Sequence, residues 1–112
     1  MIFRDSPLTD ILTILGKQNV TLAKARYRYL RKEAARKHFE SNLIKNAPGK
    51  SQAEKATHAQ AQQEWLDFHC ELAKLESVYE FERLKFEILS KEWQSQYLQM
   101  KLDESLIKKE GT

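Results

Sequence analysis

One cysteine, two prolines and three glycines are all that this 112-residue chain contains of those three residues. With Cys70 alone, no internal disulfide can form, which fits a reducing compartment. Pro7 and Pro48 stand outside the long periodic stretches, so no proline breaks them from within. The longest apolar run is far too short to span a bilayer, and Asp5 and Asp10 interrupt the N-terminus. No charged segment followed by an apolar one marks a signal peptide, so the expected location is cytoplasmic. No run alternates apolar and polar residues between turn signals, and the chain reads as all-α.

Catalytic groupings are missing as well. His38, His58 and His69 are scattered. His69 and Cys70 are adjacent, and neighbours on a helix point about 100° apart, a poor arrangement for a metal chelate. No H-x-x-x-H or C-x-x-C occurs. Neither enzyme activity nor a metal or cofactor is expected.

What the chain has in quantity is Gln, Lys, Glu, Leu and Ala, the composition of long helices. Ser6-Pro7 is a good helix start, and Leu8, Ile11, Leu12 and Leu15 follow at helical spacing. Gly16 and Asn19 predict an end to this short helix, placed at about 7–15. A second helix is expected at about 20–45, with Ala23, Tyr27, Leu30 and Ala34 as its narrow apolar stripe. A turn at 46–50 contains Pro48-Gly49. Ser51, with Glu54 three residues on, then opens a long helix at about 52–109. The Gly49–Ser51 sequence GKS is no phosphate loop, because Ile44 occupies the place of its first glycine and no strand precedes it.

The whole reads as a single helical domain, residues 1–112: an antiparallel helical hairpin with a short N-terminal helix and a long C-terminal one. Trp65, Phe68, Leu72, Leu75, Tyr79, Phe86, Leu89, Trp93 and Met100 form a seam at heptad spacing, interrupted at Glu82 and Gln96. Phe81, Leu84, Ile88, Leu98 and Leu102 form a second apolar face. At ~1.5 Å per residue the basic helix would be about 39 Å long and the last about 87 Å, so much of the last lacks cover. A coiled-coil-like homo-oligomer is therefore expected, with Phe81, Leu84, Ile88, Trp93, Leu98 and Leu102 at its interface.

Charge is unevenly shared. Residues 1–50 carry 11 Lys and Arg against 4 acids, a net of +7, and residues 51–112 carry 8 against 12, a net of −4. Leu22–His38 holds seven Lys or Arg residues and two tyrosines. A helix face of this kind neutralises phosphates and releases their counterions, while Arg and Tyr can stack on unpaired bases. Lys24, Arg26, Arg28, Arg31, Lys32 and Arg36 are the candidate nucleic-acid contacts, with Tyr29 as a stacking residue. Tyr27, on the apolar stripe, is expected to pack. The competing reading lays the basic helix against Glu64, Asp67, Glu71 and Glu76 of the last helix, or leaves it solvated.

Lys24-Ala25-Arg26 followed by Tyr29 resembles a K-A-R-x-x-Y element of the UvsY-type recombination mediator proteins of phages. The likeness covers residues about 22–54 and includes the GKS-x-AE stretch. It implies a helical oligomer that binds single-stranded DNA and helps load a recombinase where single-strand-binding protein would block it. On that likeness Lys24 and Arg26 are DNA contacts and Tyr29 a stacking or structural residue. The chain departs from the pattern in its extra basic residues after Tyr29 and its very long final helix. A host-cell cytoplasm would then be the location. The alternative is a helical adaptor or inhibitor that docks on a host protein without binding nucleic acid.

Overall fold

The computed structural model describes residues 7–110, and these are all-helical: α1 (Pro7–Asn46), α2 (Gln52–Gln60) and α3 (Gln63–Glu110), with no strand among the described residues. The Ser6 capping hydroxyl lies outside them. No helix among the described residues is long and apolar enough to cross a membrane. Contacts gather into two compact units. One joins residues 7–23 to 81–110, and the other is Lys24–Glu80.

The expected break between two helices at Gly16 and Asn19 does not occur, and α1 runs through both. A mid-helix glycine costs about 1 kcal/mol relative to alanine. That is little against the helical hydrogen bonds on either side of it. A Cβ at Gly16 would meet nothing within 4 Å, so the glycine lies on an open face. Buried Ile11 and Gln18 flank it and tie the segment down. The Gln18 amide donates to the Glu82 backbone carbonyl at 3.1 Å and to the Glu82 carboxylate. Glu82, an interruption of the apolar seam in sequence, is thus the partner of a buried amide.

The second departure is a break inside the expected 52–109 helix. The α2 segment stops at Gln60, and α3 starts at Gln63. The Gln62 N–H donates to the Ala59 carbonyl at 3.1 Å, a three-residue bond that tightens the last turn. The Gln62 carbonyl then accepts from the N–H groups of Trp65 and Leu66, restarting the helix. No proline, glycine or capping hydroxyl marks the place, so periodicity alone runs straight through it. Ala59, at this bend, has no exposed surface.

In the unit Lys24–Glu80, α1 contributes Ala25, Tyr29, Lys32, Arg36 and Phe39 to its inner side. Phe39 stacks on Phe68 with centroids 4.2 Å apart, and Tyr29 stacks on Tyr79 at 5.8 Å. Partners on α3 fall from Tyr79 to Phe68 as α1 rises from Tyr29 to Phe39. Ala25, Phe68 and Leu72 are the buried apolar residues between them. The expected stripe of Ala23, Tyr27, Leu30 and Ala34 is instead exposed. The inner face is rotated from it because the aliphatic stems of Lys and Arg can line a packed side as readily as alanine can.

In the other unit, Ile11 and Gln18 are buried, and Phe86, Leu89 and Trp93 are half-buried. Trp93 stacks on Tyr97 at 5.3 Å, and its indole N–H is buried without a hydrogen-bond partner among the described residues. Beyond Tyr97, Leu98, Met100, Leu102, Leu106 and Ile107 are all exposed.

The turn between α1 and α2 follows its sequence signals. Ser51 is the N-cap, its hydroxyl accepting from the Glu54 N–H at 3.2 Å. The Glu54 carboxylate reaches back to the Lys50 N–H at 2.9 Å, one residue earlier than the usual return bond of a capping box. Gly49 has φ +146°, a conformation side chains rarely adopt, and a Cβ there would sit 3.0 Å from both Glu54 Cβ and the Lys55 nitrogen. Gly49→Ala is therefore expected to destabilise the chain by about 1–3 kcal/mol. Gly16→Ala, on its open helical face, should stabilise it by about 0.5–1 kcal/mol. Thermal melts followed by circular dichroism check both, and equal melting temperatures would contradict the assigned turn.

Candidate nucleic-acid interface

The candidate site lies within the unit Lys24–Glu80. Because the inner side of α1 is set by Tyr29, Lys32 and Phe39, residues one position away from it stand at its edge. Arg28 and Arg31 take that position. With Tyr27, Lys32 and Ala35 they line one side of an open groove of about 400 Å³, and Phe68, Glu71 and Leu75 of α3 line the other. The groove thus combines cationic heads, an aromatic edge and an apolar floor.

Lys32 is fixed across it. Its ammonium lies 4.4 Å from the Phe68 ring centroid and 3.0 Å from a Glu71 carboxylate oxygen. The contact with the ring is a cation–π interaction. Arg36 lies further along the inner side and is held by its own helix. Its guanidinium bonds Glu33 at 3.0 Å and Glu40 at 3.2 Å. The hydrogen bond to Glu33 and the charges of Glu33 and Glu40 raise the Arg36 pKa further above its ordinary value. Glu40 also meets His69 Nε2 at 2.9 Å.

The basic residues of α1 therefore divide into two sets. Lys32 and Arg36 are engaged with acids. Lys24, Arg26, Arg28 and Arg31 are exposed, and among the described residues their side chains make no ion pair or hydrogen bond. The groove gathers Arg28, Arg31 and Lys32. It does not include Lys24, Arg26, Tyr29 or Arg36.

The two tyrosines take the reverse of the positions expected of them. Tyr27 is 63 % exposed and lines the groove. Tyr29 is half-buried against Tyr79. Desolvation, with the charges of Glu76, Glu33 and Glu80, pushes its phenol pKa above the ordinary value. A half-buried ring already stacked on a neighbour is a packing element and has less of its face open to a base. The error follows from the phase of the stripe: moving the inner face onto Ala25 and Tyr29 turns Tyr27 outward.

Sequence reasoning missed Phe68 as a site residue. It sits on the apolar seam, and only the Lys32 and Phe39 contacts show it as the groove floor. A second groove, of about 250 Å³, adjoins on the far side of Lys32 and is lined by Phe39, Glu64, Asp67, Phe68 and Glu71. Lys32, Phe68 and Glu71 line both grooves, and Glu64 and Asp67 make the second the more acidic, so of the two the Arg28–Arg31 side has the charge that suits a polyanion. No group of three or more His, Cys, Asp or Glu residues could hold a metal ion among the described residues.

Of the six expected interface residues, Phe81, Leu84, Ile88, Leu98 and Leu102 are exposed. Trp93 is half-buried beside Tyr97 and is less available to another chain.

The reversed positions of the two tyrosines have a direct check. Tyr29→Ala is expected to cost about 2 kcal/mol or more in urea unfolding, through loss of packed aromatic surface. Tyr27→Ala should change stability by less than about 0.5 kcal/mol. The reverse order would return Tyr27 to the core. No protein-family model, curated protein or solved structure matches the chain.

Proposed function

We propose that this chain is a non-enzymatic, oligomeric protein that binds single-stranded nucleic acid, DNA by the UvsY-type resemblance, and serves as an accessory factor in recombination. The groove that brings Arg28, Arg31 and Lys32 together with Tyr27 and Phe68 carries this reading. Its chemistry suits an unpaired strand: cations meet the phosphates, and Tyr27 offers a ring face to a base. Nothing in it reads base edges, so binding would be weakly selective for sequence.

On this reading the chain acts as an antiparallel helical hairpin whose copies associate through the exposed apolar residues of α3. Several copies present several grooves, and the strand gains avidity from each. A recombinase or single-strand-binding protein would be the protein partner, in the host cytoplasm if the chain is phage-encoded.

A second reading is favoured by a separate observation. The acidic rim of Glu64, Asp67 and Glu71 lies next to the basic groove. Such a mixed-charge surface also suits a protein partner, and the chain would then be a helical adaptor or inhibitor that binds no nucleic acid.

Titration of a labelled oligothymidylate across a range of salt concentrations separates the two. Binding that weakens steeply with salt supports the first reading, and no binding at low salt supports the second. Arg28→Glu with Arg31→Glu should weaken binding and lower the slope of log affinity against log salt by about 1.4, the value for two lost phosphate contacts on a single strand. Arg36→Gln should leave that slope unchanged, since its guanidinium already serves Glu33 and Glu40.

A further inference from the structure

The exposed residues of α3 after Glu80 follow a regular course. Phe81, Leu84, Ile88, Lys91, Ser95, Leu98, Leu102 and Ser105 succeed one another at alternating steps of three and four, and every one is exposed. That spacing makes a straight seam along a helix in a two-stranded coiled coil. Phe81, Leu84 and Ile88 lie on one side of a polar middle, Leu98 and Leu102 on the other, and Ser105 closes the seam. The opposite side of the same stretch, with Phe86, Leu89 and Trp93, is half-buried within its own unit. One side is thus covered and the other is not.

We propose that the occupant of this seam is the same seam of a second copy, running antiparallel, with the two-fold axis passing between Lys91 and Ser95. This inference rests on the self-association proposed above and adds its partner surface, direction and register.

Two arguments select this arrangement. The first is the order of residues along the seam. Laid against its own reverse, the seam places Leu84 opposite Leu102, Ile88 opposite Leu98, and Lys91 opposite Ser95. Phe81 falls opposite Ser105, where a small residue leaves room for the ring. Every large aliphatic residue meets another, and the one charge meets a hydroxyl. A parallel pair in register would set Lys91 against Lys91 in the middle of the seam, a like-charge contact at a desolvated position.

The second argument is charge on the flanks. Glu87 and Lys101 lie two heptads apart on one edge of the seam. In the antiparallel pair they meet across the interface, once at each end. Glu87 already accepts from Arg83 at 2.7 Å and Lys101 lies 3.6 Å from Glu104, so each new pair extends a charge network already present. On the other edge Glu92 meets its own copy, a single repulsion at the axis. The parallel alternative brings Glu87 against Glu92 twice. Charge complementarity therefore favours the antiparallel direction.

The size of the surface is sufficient. Phe81, Leu84, Ile88, Leu98 and Leu102 are 50–65 % exposed. Together with their copies they offer on the order of 1,000 Å², the area a specific interface needs.

Site-directed cross-linking tests the register. In a Cys70→Ser background, Ile88→Cys and Leu98→Cys are prepared as separate single variants, one carrying a mass tag. Under mild oxidation the mixture is expected to give tagged–untagged disulfide dimers, about tenfold more than either variant alone. Identical positions lie some 15 Å apart along the antiparallel pair, beyond the ~7 Å reach of a disulfide. Leu84→Cys mixed with Leu102→Cys repeats the test should either first variant lose helicity. Disulfides as abundant in Leu98→Cys alone as in the mixture would overturn the antiparallel direction. Light scattering on the unaltered chain separates the remaining outcomes. A multimer without these mixed disulfides overturns the register and leaves self-association standing, and a monomer at all concentrations overturns both.

Discussion

The Phe39–Phe68 ring stack is the contact on which the unit Lys24–Glu80 depends. Buried apolar residues in this unit are few and mostly small: three alanines, Phe68 and Leu72. Alanine allows close approach of helices but removes little surface from water. Two parallel rings 4.2 Å apart supply the large buried area that the alanines do not. The same stack fixes Phe68 as the floor of the groove and so sets where Lys32 rests. One packing contact thereby ties the phase of α1 to the position of its basic edge.

That phase sorts the basic residues by consequence. A cation on the inner side must find an acid, and Lys32 and Arg36 do so. Ion pairs of this partly exposed kind contribute at most about 1 kcal/mol each to stability. Their effect on the surface is larger: paired cations attract a polyanion less. Residues one step around the helix keep their full field. The number of phosphates such a helix can neutralise is thus set by its rotation and not by its count of Lys and Arg.

The sequence made much of the fold legible, and the failures have physical causes. The all-helical architecture follows from composition and from the scarcity of proline and glycine. The turn at Pro48-Gly49 and the Ser51 cap were legible because each rests on a local rule: a positive φ needs glycine, and a free N–H needs an acceptor. The continuity of α1 through Gly16 was not, since a helical glycine and a terminal one look alike until Gln18 and Glu82 are seen together. The bend at Ala61-Gln62 carries no breaker residue at all. The candidate site was legible as a region, Leu22–His38, but not as a set of side chains. Ala, Tyr, Leu, Lys and Arg occur all around that helix, so its inner face could be assigned a position or two away from the true one. Only the long-range partners Phe68, Glu71 and Tyr79 resolve it.

The two tryptophans fall one to each compact unit: Trp65 packs near His69 in the unit Lys24–Glu80, and Trp93 stacks on Tyr97 in the other. Each unit thus carries its own intrinsic fluorophore, in a distinct surrounding of imidazole or phenol. The indole emission of this chain therefore has two sources in two surroundings, and removing either indole leaves a signal that reports on the unit that keeps its own.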